Sequence, residues 1–542
     1  MPDNKFNLGN ATRLISLLTL ASRVLGLVRD SLIARTFGAG AAYDAFAFAF
    51  RVPNLFRRLF GEGALTAAFI PAFSECREKD GEEEAWRLFN VVFSFLLLTL
   101  TVILVAGELA CLILPKTGLI AEKWDLPLKL LAVMFPYMPL ICMTAFLAAM
   151  LQCRMRFGMA ALSPTVLNVI WIASLLFVSY AFAKDERRQV YGVAIGILIA
   201  GVFQVGLQAW ALRRISPAFR FIFDWRNPSL RKILVRMGPM IAGLAAVQLN
   251  TCFDGIMAVG LSGPEGGTFA TIAGRAIRFP MLTGANSILY YGERLIEFPL
   301  GVFGIAVATA AFPAMSRAAA EKDSGAFRKA LTDGLRLVIF IGVPASAGTI
   351  LISSPLIELL FQRRAFTAVE TARCARVVMA SGIGIWAYCA IQVLARGFYS
   401  LGDVMTPVKT SATVVVLNLA LNLSLVWFMR EAGLSLATSL CATIQAVILY
   451  YVLSKRLPKG DNGPMLRCML TTVTATAAMS VAVLLCMRLM PGIDPEQGKA
   501  AVFFLKCVRV GVPCCAGGAV YFLVAFLLRS AELKLLIGRG LA

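Results

Sequence analysis

The stretch Ser22-Arg-Val-Leu-Gly-Leu-Val-Arg-Asp30 places two arginines and an aspartate inside an apolar segment, residues 11–37. Such a segment is long enough to cross a bilayer, which takes about 20 mostly apolar residues. An ionisable side chain at the centre of a membrane helix costs about 2.5–3.5 kcal/mol on insertion, so it needs a partner, a water-filled cavity or a function. Arg23 and Asp30 are one heptad apart and share a helix face, whereas Arg29 points away from Arg23 on a straight helix. The stretch therefore predicts a membrane helix with charges that require an explanation.

The composition of the whole chain agrees with a membrane protein and excludes several other classes. Of its 542 residues, 59% are hydrophobic and only 15% are charged, and the formal charge is +21. Soluble domains have about 45–50% apolar and about 25% charged residues, and disordered chains combine charge with low hydrophobicity. Basic membrane loops explain the charge better than a nucleic-acid partner does, so we expect no nucleic acid. The chain has no histidine, the commonest metal ligand and a frequent general base, and we expect no enzyme activity.

About fourteen apolar segments are candidates for membrane helices. They are centred on residues 11–37, 41–73, 89–115, 127–153, 160–183, 190–213, 233–261, 284–316, 331–362, 374–402, 407–429, 432–454, 465–490 and 500–528. Loops on the N-terminal side hold about twice as many Lys and Arg residues as loops on the other side, which indicates that this side is cytoplasmic. Because the number of spans is even, both termini are predicted to be cytoplasmic. The predicted fold class is an all-α, multi-pass membrane protein.

Two connections are long: the Arg- and Pro-rich residues 214–232 and the Gly-rich residues 262–283. The glycine-rich residues 262–267 within the second connection have no lysine and no strand before them, so they do not form a phosphate-binding loop, and we expect a flexible outer loop there. Thr66-Ala-Ala-Phe-Ile-Pro-Ala-Phe-Ser74 in span 2 is similar to Thr309-Ala-Ala-Phe-Pro-Ala-Met-Ser316 in span 8, six spans later. A parallel repeat of two six-span units would produce this similarity, and chance likeness of Ala- and Phe-rich helices is the alternative.

The repeat predicts a division of the chain into four parts. Residues 1–213 form an N-lobe with spans 1–6, and residues 214–232 form a basic cytoplasmic linker. Residues 233–455 form a C-lobe with spans 7–12. Residues 456–542 hold spans 13 and 14, which lie outside the repeat, and a cytoplasmic C-terminal tail.

Span 2 carries several charges that an apolar helix does not need. Asp44, Arg51 and Arg58 follow one another at heptad steps and are predicted to share one face of a helix. Arg57 lies beside this face, and Glu62 lies one turn beyond Arg58. Basic residues outnumber acidic ones in spans 1 and 2, so ion pairs between helices cannot neutralise them all. Arginines near the span ends are alternatively explained by snorkelling of the side chain to the headgroups.

Span 8 contains Arg294, which is followed by Glu297 at i+3 and then by Pro299. Arg294 lies toward the interior of its span, where snorkelling explains it less well. Surplus arginine that faces a cavity suggests an anionic ligand, because the planar guanidinium group suits carboxylate and phosphate. Spans 1, 2 and 8 therefore predict an anion-binding cavity, with interhelical ion pairs as the alternative.

Oxygen-bearing side chains in span 7 and after span 10 are candidates for a small cation site. Asn250 and Asp254 are at i and i+4 and share a helix face, and Asp403 follows span 10 with Thr406 close behind. Ligands of this kind suit a hard cation, provided that the helices converge. A structural hydrogen-bond network is the alternative.

The charged residues and their neighbours resemble the motifs of the MurJ (MviN) lipid II flippase family. The resemblance extends over nearly the whole chain, and it is most specific from residue 22 to residue 63. The motifs that carry it are Ser22-Arg-Val-Leu-Gly-Leu-Val-Arg-Asp30, Phe37-Gly-Ala-Gly40, Asp44-Ala-Phe46, Pro53-Asn-Leu-Phe-Arg-Arg58, Gly61-Glu-Gly63, Tyr291-Gly-Glu-Arg-Leu-Ile-Glu-Phe-Pro299, and Ser400-Leu-Gly-Asp403 with Thr406-Pro407.

This resemblance implies a MATE-like fold of the MOP superfamily, with two six-helix lobes around a central cavity and two C-terminal helices that line a groove for a lipid tail. Members of the family move lipid II, the undecaprenyl-diphosphate-linked peptidoglycan precursor, from the inner to the outer leaflet of the bacterial cytoplasmic membrane by alternating access. The expected roles are therefore in peptidoglycan biosynthesis, the cell wall and cell shape. The expected partners are lipid II and membrane lipids, and the expected state is a monomer.

The resemblance also implies which residues bind the substrate. The cavity arginines of the family match Arg23, Arg29, Arg57 and Arg294, with Asp44 and Glu62 as neighbouring acidic positions. The family's sodium site would use Asp254, with Asn250 and Asp403 as further candidates, and no other cofactor is implied. The main alternative function is another exporter of the same superfamily, acting on a lipid-linked oligosaccharide. A drug exporter, a membrane-embedded enzyme acting on polyprenyl phosphates and a scaffold protein are weaker alternatives.

Overall fold

The computed structural model describes residues 8–61, 64–118, 121–215, 219–272, 275–458, 460–461, 463–492 and 498–536. The chain forms two compact units, Met1–Gly260 and Leu261–Ala542. Both units consist mainly of helices.

The helices of the first unit follow one another with short connections. They are α1 (Leu8–Phe37), α2 (Ala41–Phe56), α3 (Ala64–Lys79), α4 (Glu82–Ile113), α5 (Asp125–Met134), α6 (Tyr137–Cys153), α7 (Phe157–Ala181), α8 (Glu186–Arg213) and α9 (Pro228–Gly260). Short 3-10 turns lie at Leu114–Thr117 and Glu122–Trp124, and a π-helical turn at Arg57–Gly61 separates α2 from α3.

The second unit begins with four short strands and continues with helices. The strands are β1 (Ser262–Gly263), β2 (Thr268–Ile272), β3 (Arg275–Arg278) and β4 (Met281–Leu282). The helices are α10 (Ala285–Pro299), α11 (Ile305–Ala320), α12 (Ser324–Leu360), α13 (Ala368–Gly382), α14 (Ile385–Ser400), α15 (Met405–Met429), α16 (Glu431–Lys455), α17 (Gly463–Leu489), α18 (Lys499–Leu527) and α19 (Ala531–Leu536). A second π-helical turn, Leu300–Gly304, joins α10 to α11.

Every segment that the sequence predicts as a span coincides with a helix or with two consecutive helices. Among the described residues, ten helical segments are long and apolar enough to cross a membrane, and the pair α5–α6, bent by 41°, would make eleven. The predicted segments outside this set are spans 1, 2 and 8. Spans 2 and 8 are each divided into shorter helices of 15 or 16 residues. The all-α multi-pass class is confirmed, whereas the number fourteen is not.

Spans 2 and 8 are both broken by a π-helical turn rather than being continuous helices. Pro53 lies inside α2, four residues before the first turn, and Pro299 directly precedes the second. Proline has no N–H to donate, so the regular i→i−4 ladder loses a bond nearby and a wider turn becomes accessible. Turns of this type occur frequently at functional sites.

The connection between α9 and α10 contains four short strands. Strands β2 and β3 pair antiparallel as a hairpin, and β1 and β4, which pair parallel, lie at its base. Residues 264–267, in the glycine-rich stretch, connect β1 to β2 without regular secondary structure, and their flexibility and outer position stay predictions. β-branched and aromatic residues in Thr268–Ile272 favour extended structure. The ring of Phe269 packs edge-on against Phe279 at 5.6 Å and against Trp427 at 6.4 Å.

A buried ion pair fixes the base of this hairpin to the helices of its unit. The Nε atom of Arg373 on α13 donates to Glu431 Oε1 at 2.7 Å, and its two Nη atoms donate to the backbone carbonyls of Leu282 and Thr283. Arg373 and Glu431 are both almost fully buried. Partners from helices far along the chain therefore order a segment whose own composition suggests a loop.

The compact units group the helices by packing, and α9 falls in the first of them. α9 packs on α2, α3 and α4 and belongs to the first compact unit, whereas the sequence prediction places span 7 in the C-lobe at 233–455. The prediction follows the repeat, and the compact units follow packing. In the second unit α17 and α18 pack against α12, where the ring of Tyr521 lies 5.2 Å from that of Phe340.

Candidate anion-binding site

Arg29 lies buried on α1 and is held in place by three side chains. Its Nε and Nη2 atoms donate to Asp30 Oδ1 at 2.9 and 2.7 Å, and its Nη1 donates to Asn168 Oδ1 at 2.8 Å. The guanidinium carbon lies 4.4 Å from the centre of the Trp171 ring. Arginine keeps its charge under all physiological conditions. The cluster therefore fixes a permanent cation in a defined orientation within the first unit.

Two partners of Arg29, Asn168 and Trp171, were not among the predicted site residues. Both lie on α7, and the Nδ2 atom of Asn168 also donates to the backbone carbonyl of Ser22 at 2.9 Å. Trp171 is fully buried and contacts Phe46 and Phe50 edge-on. The available signal was an asparagine in an otherwise apolar segment, since polar side chains within spans are functional candidates.

Arg23 differs from Arg29 although the two share a helix. Arg23 is exposed, and it makes no hydrogen bond or ion pair with the part of the chain that the structure describes. Arg29 faces the interior of the unit, toward α7. The prediction that the two arginines point in different directions agrees with this placement.

The charges of span 2 are divided between a helix and the π-helical turn that follows it. Asp44 is buried in the first turn of α2. Arg51 is half-buried and donates from Nη1 to the carbonyl of Thr251 on α9 at 3.2 Å. Arg57 begins the π-helical turn, and its Nε donates to Asn54 Oδ1 at 3.1 Å. α9, the predicted span 7, is thus attached to span 2 by an arginine.

The prediction of one continuous heptad face through Asp44, Arg51 and Arg58 is wrong at its far end. Helix α2 ends at Phe56, and the wider π-helical turn changes the angular position of the residues after it. Arg58 is exposed. Glu62, the predicted acidic neighbour, lies outside the described residues.

Arg294 on α10 has a similar set of neighbours to Arg29. Its Nη1 donates to Glu297 Oε2 at 2.8 Å, and its Nη2 donates to the hydroxyl of Tyr290 at 3.1 Å. The guanidinium carbon lies 4.9 Å from the centre of the Tyr290 ring. The side chain of Arg294 is 33% exposed, so solvent or a ligand can reach it.

The predicted cation ligands do not form a ligand cluster among the described residues. No group of three or more Cys, Asp or Glu side chains lies close enough there to hold a metal ion. Asp254 is buried and Asn250 half-buried on α9, one turn apart, and Arg51 reaches the backbone of Thr251 between them. A nearby guanidinium disfavours a cation. The sodium site with Asn250, Asp254 and Asp403 stays a prediction.

Asp403 caps a helix and forms an ion pair. Its Oδ1 accepts from the N–H of Thr406 at 2.9 Å, and its Oδ2 accepts from the Thr406 hydroxyl at 2.6 Å and from Arg456 Nη1 at 2.7 Å. Burial alone would raise the pKa of Asp403, but the hydrogen bonds from Thr406 and the charge of Arg456 outweigh it and lower the pKa to about 2. Both carboxylate oxygens are used, which fits a cap better than a cation ligand.

The fold and the arginines held within its charged helices define the class of protein. A solved structure described as "Lipid II flippase MurJ, inward closed conformation" covers 95% of this chain and 99% of its own, with a TM-score of 0.73 and 22% identity. An inward-facing multidrug resistance MATE family transporter of the MOP superfamily covers 80% and 94%, with a TM-score of 0.64 and 14% identity. The chain therefore has the fold of a MOP-superfamily transporter.

The family follows from the sequence comparison. A family model described as "Lipid II flippase MurJ" matches residues 33–494. The "Probable lipid II flippase MurJ" of Vibrio cholerae serotype O1 is 33% identical over 449 residues, which are 81% of this chain and 81% of that protein. The chain belongs to the MurJ lipid II flippase family, as its motifs predicted, and it is a transporter rather than an enzyme.

Proposed function

We propose that this protein moves lipid II from the inner to the outer leaflet of the bacterial cytoplasmic membrane, and that its intramembrane arginines bind the diphosphate. Membership of the family supports the substrate. The observation that carries the arginine role is Arg29, a buried guanidinium fixed by Asp30, Asn168 and Trp171. Placing a charged cluster in a membrane helix costs free energy, so its presence indicates a structural or functional role.

The chemistry of the substrate explains why a carrier needs arginine. A polyprenyl tail cannot enter water, and a diphosphate headgroup with its sugars and peptide cannot enter hydrocarbon. Arginine forms bidentate hydrogen bonds with phosphate and carries a charge that does not titrate. Each compact unit supplies one arginine oriented by a carboxylate and an aromatic ring, Arg29 and Arg294. These two are the centres of the proposed anion-binding surfaces, and Arg23 and Arg57 belong to the same compact unit as Arg29.

The proposed arginines differ in how a phosphate would reach them. Arg294 is partly exposed, and the carboxylate of Glu297 accepts one of its N–H groups. We infer that the diphosphate takes the place of this carboxylate on binding. Arg29 is buried, so its main role is a fixed positive charge, and Arg23 is exposed for direct contact. Asp44 and Glu62 would balance the charge when the substrate has left.

Alternating access requires helices that bend, and the π-helical turns are the proposed bending points. One turn begins at Arg57 and the other lies six residues after Arg294. Bending there would move the arginines relative to the rest of their helices. Membrane potential can bias this motion, because moving one charge through 100 mV is worth about 2.3 kcal/mol.

The topology and the route of the lipid tail are further parts of the proposal. The Lys and Arg bias places both termini in the cytoplasm. The tail would lie along α17 and α18, which present large apolar side chains on their exposed faces, among them Leu470, Leu485 and Phe526. The protein would work as a monomer.

The test is translocation of labelled lipid II in reconstituted vesicles by Arg29 variants. We expect Arg29→Ala to reduce the rate about 100-fold, since removal of one partner of a buried charge pair costs 2–5 kcal/mol. Because this variant leaves Asp30 without its ion pair, Arg29→Lys is the second variant. Lysine keeps the charge but not the planar fork, and we expect about a tenfold loss.

Arg188, an exposed arginine paired with Asp185, provides the matched control, and Arg188→Ala should translocate lipid II at the parental rate. Parental rates for both Arg29 variants would contradict the proposed role of the Arg29 charge in diphosphate binding. Equal or faster movement of a diphosphate-linked oligosaccharide without peptide would instead favour the alternative exporter.

A further inference from the structure

The second compact unit contains a groove that the proposed transport site does not use. It is a cavity of about 460 Å³ between α12, α13 and the connection from α15 to α16. Two arginines, Arg376 and Arg430, line it, and its other lining residues are apolar. Among the helices that form it are segments long and apolar enough to cross a membrane, α12, α15 and α16.

The part of α13 that lines the groove begins with a charged residue and continues with apolar residues. Arg376, Met379 and Ile383 recur at i, i+3 and i+7, so they lie on one face of the helix. From Arg376 to Ile383 the helix rises about 10 Å. Opposite apolar walls come from α12 and α16, through Ile350 and Leu436. This order, a cation followed by an apolar channel, matches a ligand with an anionic head and a hydrocarbon chain.

The two groove arginines carry charges that no described neighbour balances. Arg376 and Arg430 are exposed, and neither side chain makes a hydrogen bond or ion pair with the described residues. The acidic residue next to Arg430 in the sequence, Glu431, is buried and paired with Arg373. No acidic side chain lines the groove. The groove therefore presents two positively charged guanidinium groups, without a balancing carboxylate, beside apolar walls.

Arg430 is also held in a backbone conformation that disfavours any residue except glycine. Its φ is +55° and its ψ is −139° where α15 ends and α16 begins. Such a conformation is strained for a residue with a side chain. Glycine would adopt it without strain. An arginine at this position directs a cation into the groove at the expense of backbone strain, which points to a function for the side chain.

Phe428 and Met429 at the same connection complete the mouth of the groove. Phe428 is 86% exposed, and in a bilayer such a side chain contacts lipid. A ligand can therefore enter sideways from the membrane, with no need to leave the hydrocarbon.

We propose that this groove binds an anionic glycerophospholipid. The phosphate lies on Arg376 and Arg430, and an acyl chain follows Met379, Ile383 and Leu436. Guanidinium groups bind phosphate oxygens by charge-assisted hydrogen bonds, and basic pockets between membrane helices bind lipid headgroups in this way. The site is separate from the residues proposed for lipid II, so it stands whether or not that function holds.

The test is native mass spectrometry of the full-length protein in detergent with equal amounts of phosphatidylglycerol and phosphatidylethanolamine. We expect the parental protein to retain phosphatidylglycerol preferentially. The double variant Arg376→Gln/Arg430→Gln should lose about tenfold or more of that binding. Arg364→Gln changes an exposed arginine in the connection before α13 that does not line the groove, and it should bind like the parent.

Several results would overturn the proposal: undiminished phosphatidylglycerol in the double variant, equal retention of the zwitterionic lipid by the parent, or displacement by glycerol phosphate alone. Loss of polyprenyl diphosphate but not of phosphatidylglycerol in the double variant would assign the groove to the substrate and would equally overturn it.

A single substitution separates binding from folding. Arg430→Gly relieves the backbone strain, so the unfolding temperature in detergent should be equal to or above that of the parent. The same variant should bind at least about threefold less phosphatidylglycerol than the parent, because one phosphate contact is lost. Full phosphatidylglycerol binding by a folded Arg430→Gly protein would contradict the assignment of Arg430.

Discussion

Span 2 and span 8 are built in the same way, each as two helices joined by a π-helical turn. The turns are Arg57–Gly61 and Leu300–Gly304, and Arg51 and Arg294 each lie six residues before the start of their turn. The similar segments that begin at Thr66 and Thr309 each start five residues after the end of their turn. The similarity between the two spans thus includes an irregularity of the backbone, which favours the repeat over chance likeness of Ala- and Phe-rich helices.

The two spans differ in the residue three positions after the shared arginine. Span 8 has Glu297 there, and this carboxylate pairs with Arg294. Span 2 has Asn54, a neutral amide that accepts from Arg57, and it has no acidic residue between Asp44 and Glu62. The same architecture therefore carries a locally balanced charge in one span and a surplus of positive charge in the other. The surplus in span 2 is the part of the repeat that we connect with an anionic substrate.

Among the changes that test this difference between the spans, the largest effect is expected from giving span 2 the acidic residue that span 8 has. Asn54→Glu places a carboxylate beside Arg57, where it competes with the diphosphate. We expect the rate of lipid II translocation in vesicles to fall about tenfold. Asn54→Gln keeps an amide and should stay within about twofold of the parent. Equal translocation rates for the Glu and Gln variants, at equal amounts of inserted protein, would contradict the proposed link between the surplus positive charge of span 2 and the anionic substrate.

A smaller effect is expected from Pro299, which precedes the π-helical turn of span 8. Pro299→Ala restores a backbone N–H and favours a regular helix through the turn. The maximal translocation rate should fall about threefold, while lipid II binding stays unchanged, because no substrate contact is lost. Pro407→Ala, in the first turn of α15, is the control and should leave both quantities at the parental level. An unchanged maximal rate for Pro299→Ala would argue against the turn as a bending point.

Glu297→Gln makes span 8 resemble span 2 and should have a modest effect of the opposite sign. An exposed ion pair is worth about 0.2–1 kcal/mol, so removing the competing carboxylate should raise the apparent affinity for lipid II about two- to fivefold. Glu321→Gln, an exposed change at the end of α11, controls for the loss of one negative charge. Weaker lipid II binding by Glu297→Gln would show that Glu297 orients Arg294 instead of competing for it.

The smallest effect is expected at Asp403, which lies outside both spans. Its pKa of about 2 is below the ordinary value of 3.8, so its pairing with Arg456 stabilises the fold above about pH 4. That contribution is lost as the pH falls through about 2. Asp403 therefore stays ionised from pH 5 to 8, and translocation over this range should not depend on it. Asp403→Asn should lower the unfolding temperature slightly and leave translocation unchanged. A change in sodium dependence in this variant would restore Asp403 as a cation ligand.

The helices were predictable from the sequence, and their interruptions were not. An apolar segment of about 20 residues specifies a membrane helix by solvation alone, and each predicted segment is helical in the structure. The π-helical turns depend on which backbone bonds form around Pro53 and Pro299, and hydropathy does not report that choice. The first π-helical turn contains Arg58 and moves it off the predicted helix face.

The candidate site was predictable by residue type but not by partner. Arg29 stood out because a buried cation is expensive, and that reasoning is local. Its partner Asn168 lies on α7, far along the chain, so the pairing depends on tertiary packing. The same holds for the β2–β3 hairpin, whose base is held by Arg373 from α13. The glycine-rich composition of residues 262–267 did not indicate these strands, because the hydrogen bonds that fix them come from residues far along the chain.

The most direct test of the central claim is the distance between the substrate phosphorus atoms and the arginines of spans 1 and 8. Solid-state NMR on the full-length protein in bilayers, with ¹⁵N-labelled arginine and bound lipid II, measures ³¹P–¹⁵N dipolar coupling. We expect a coupling that corresponds to about 4 Å, the separation across an N–H···O–P hydrogen bond, and its loss in Arg23→Lys and Arg294→Lys, the two arginines proposed for direct contact. Saturating lipid II binding without any such coupling, or a coupling that both variants retain, would contradict the arginine–diphosphate contact.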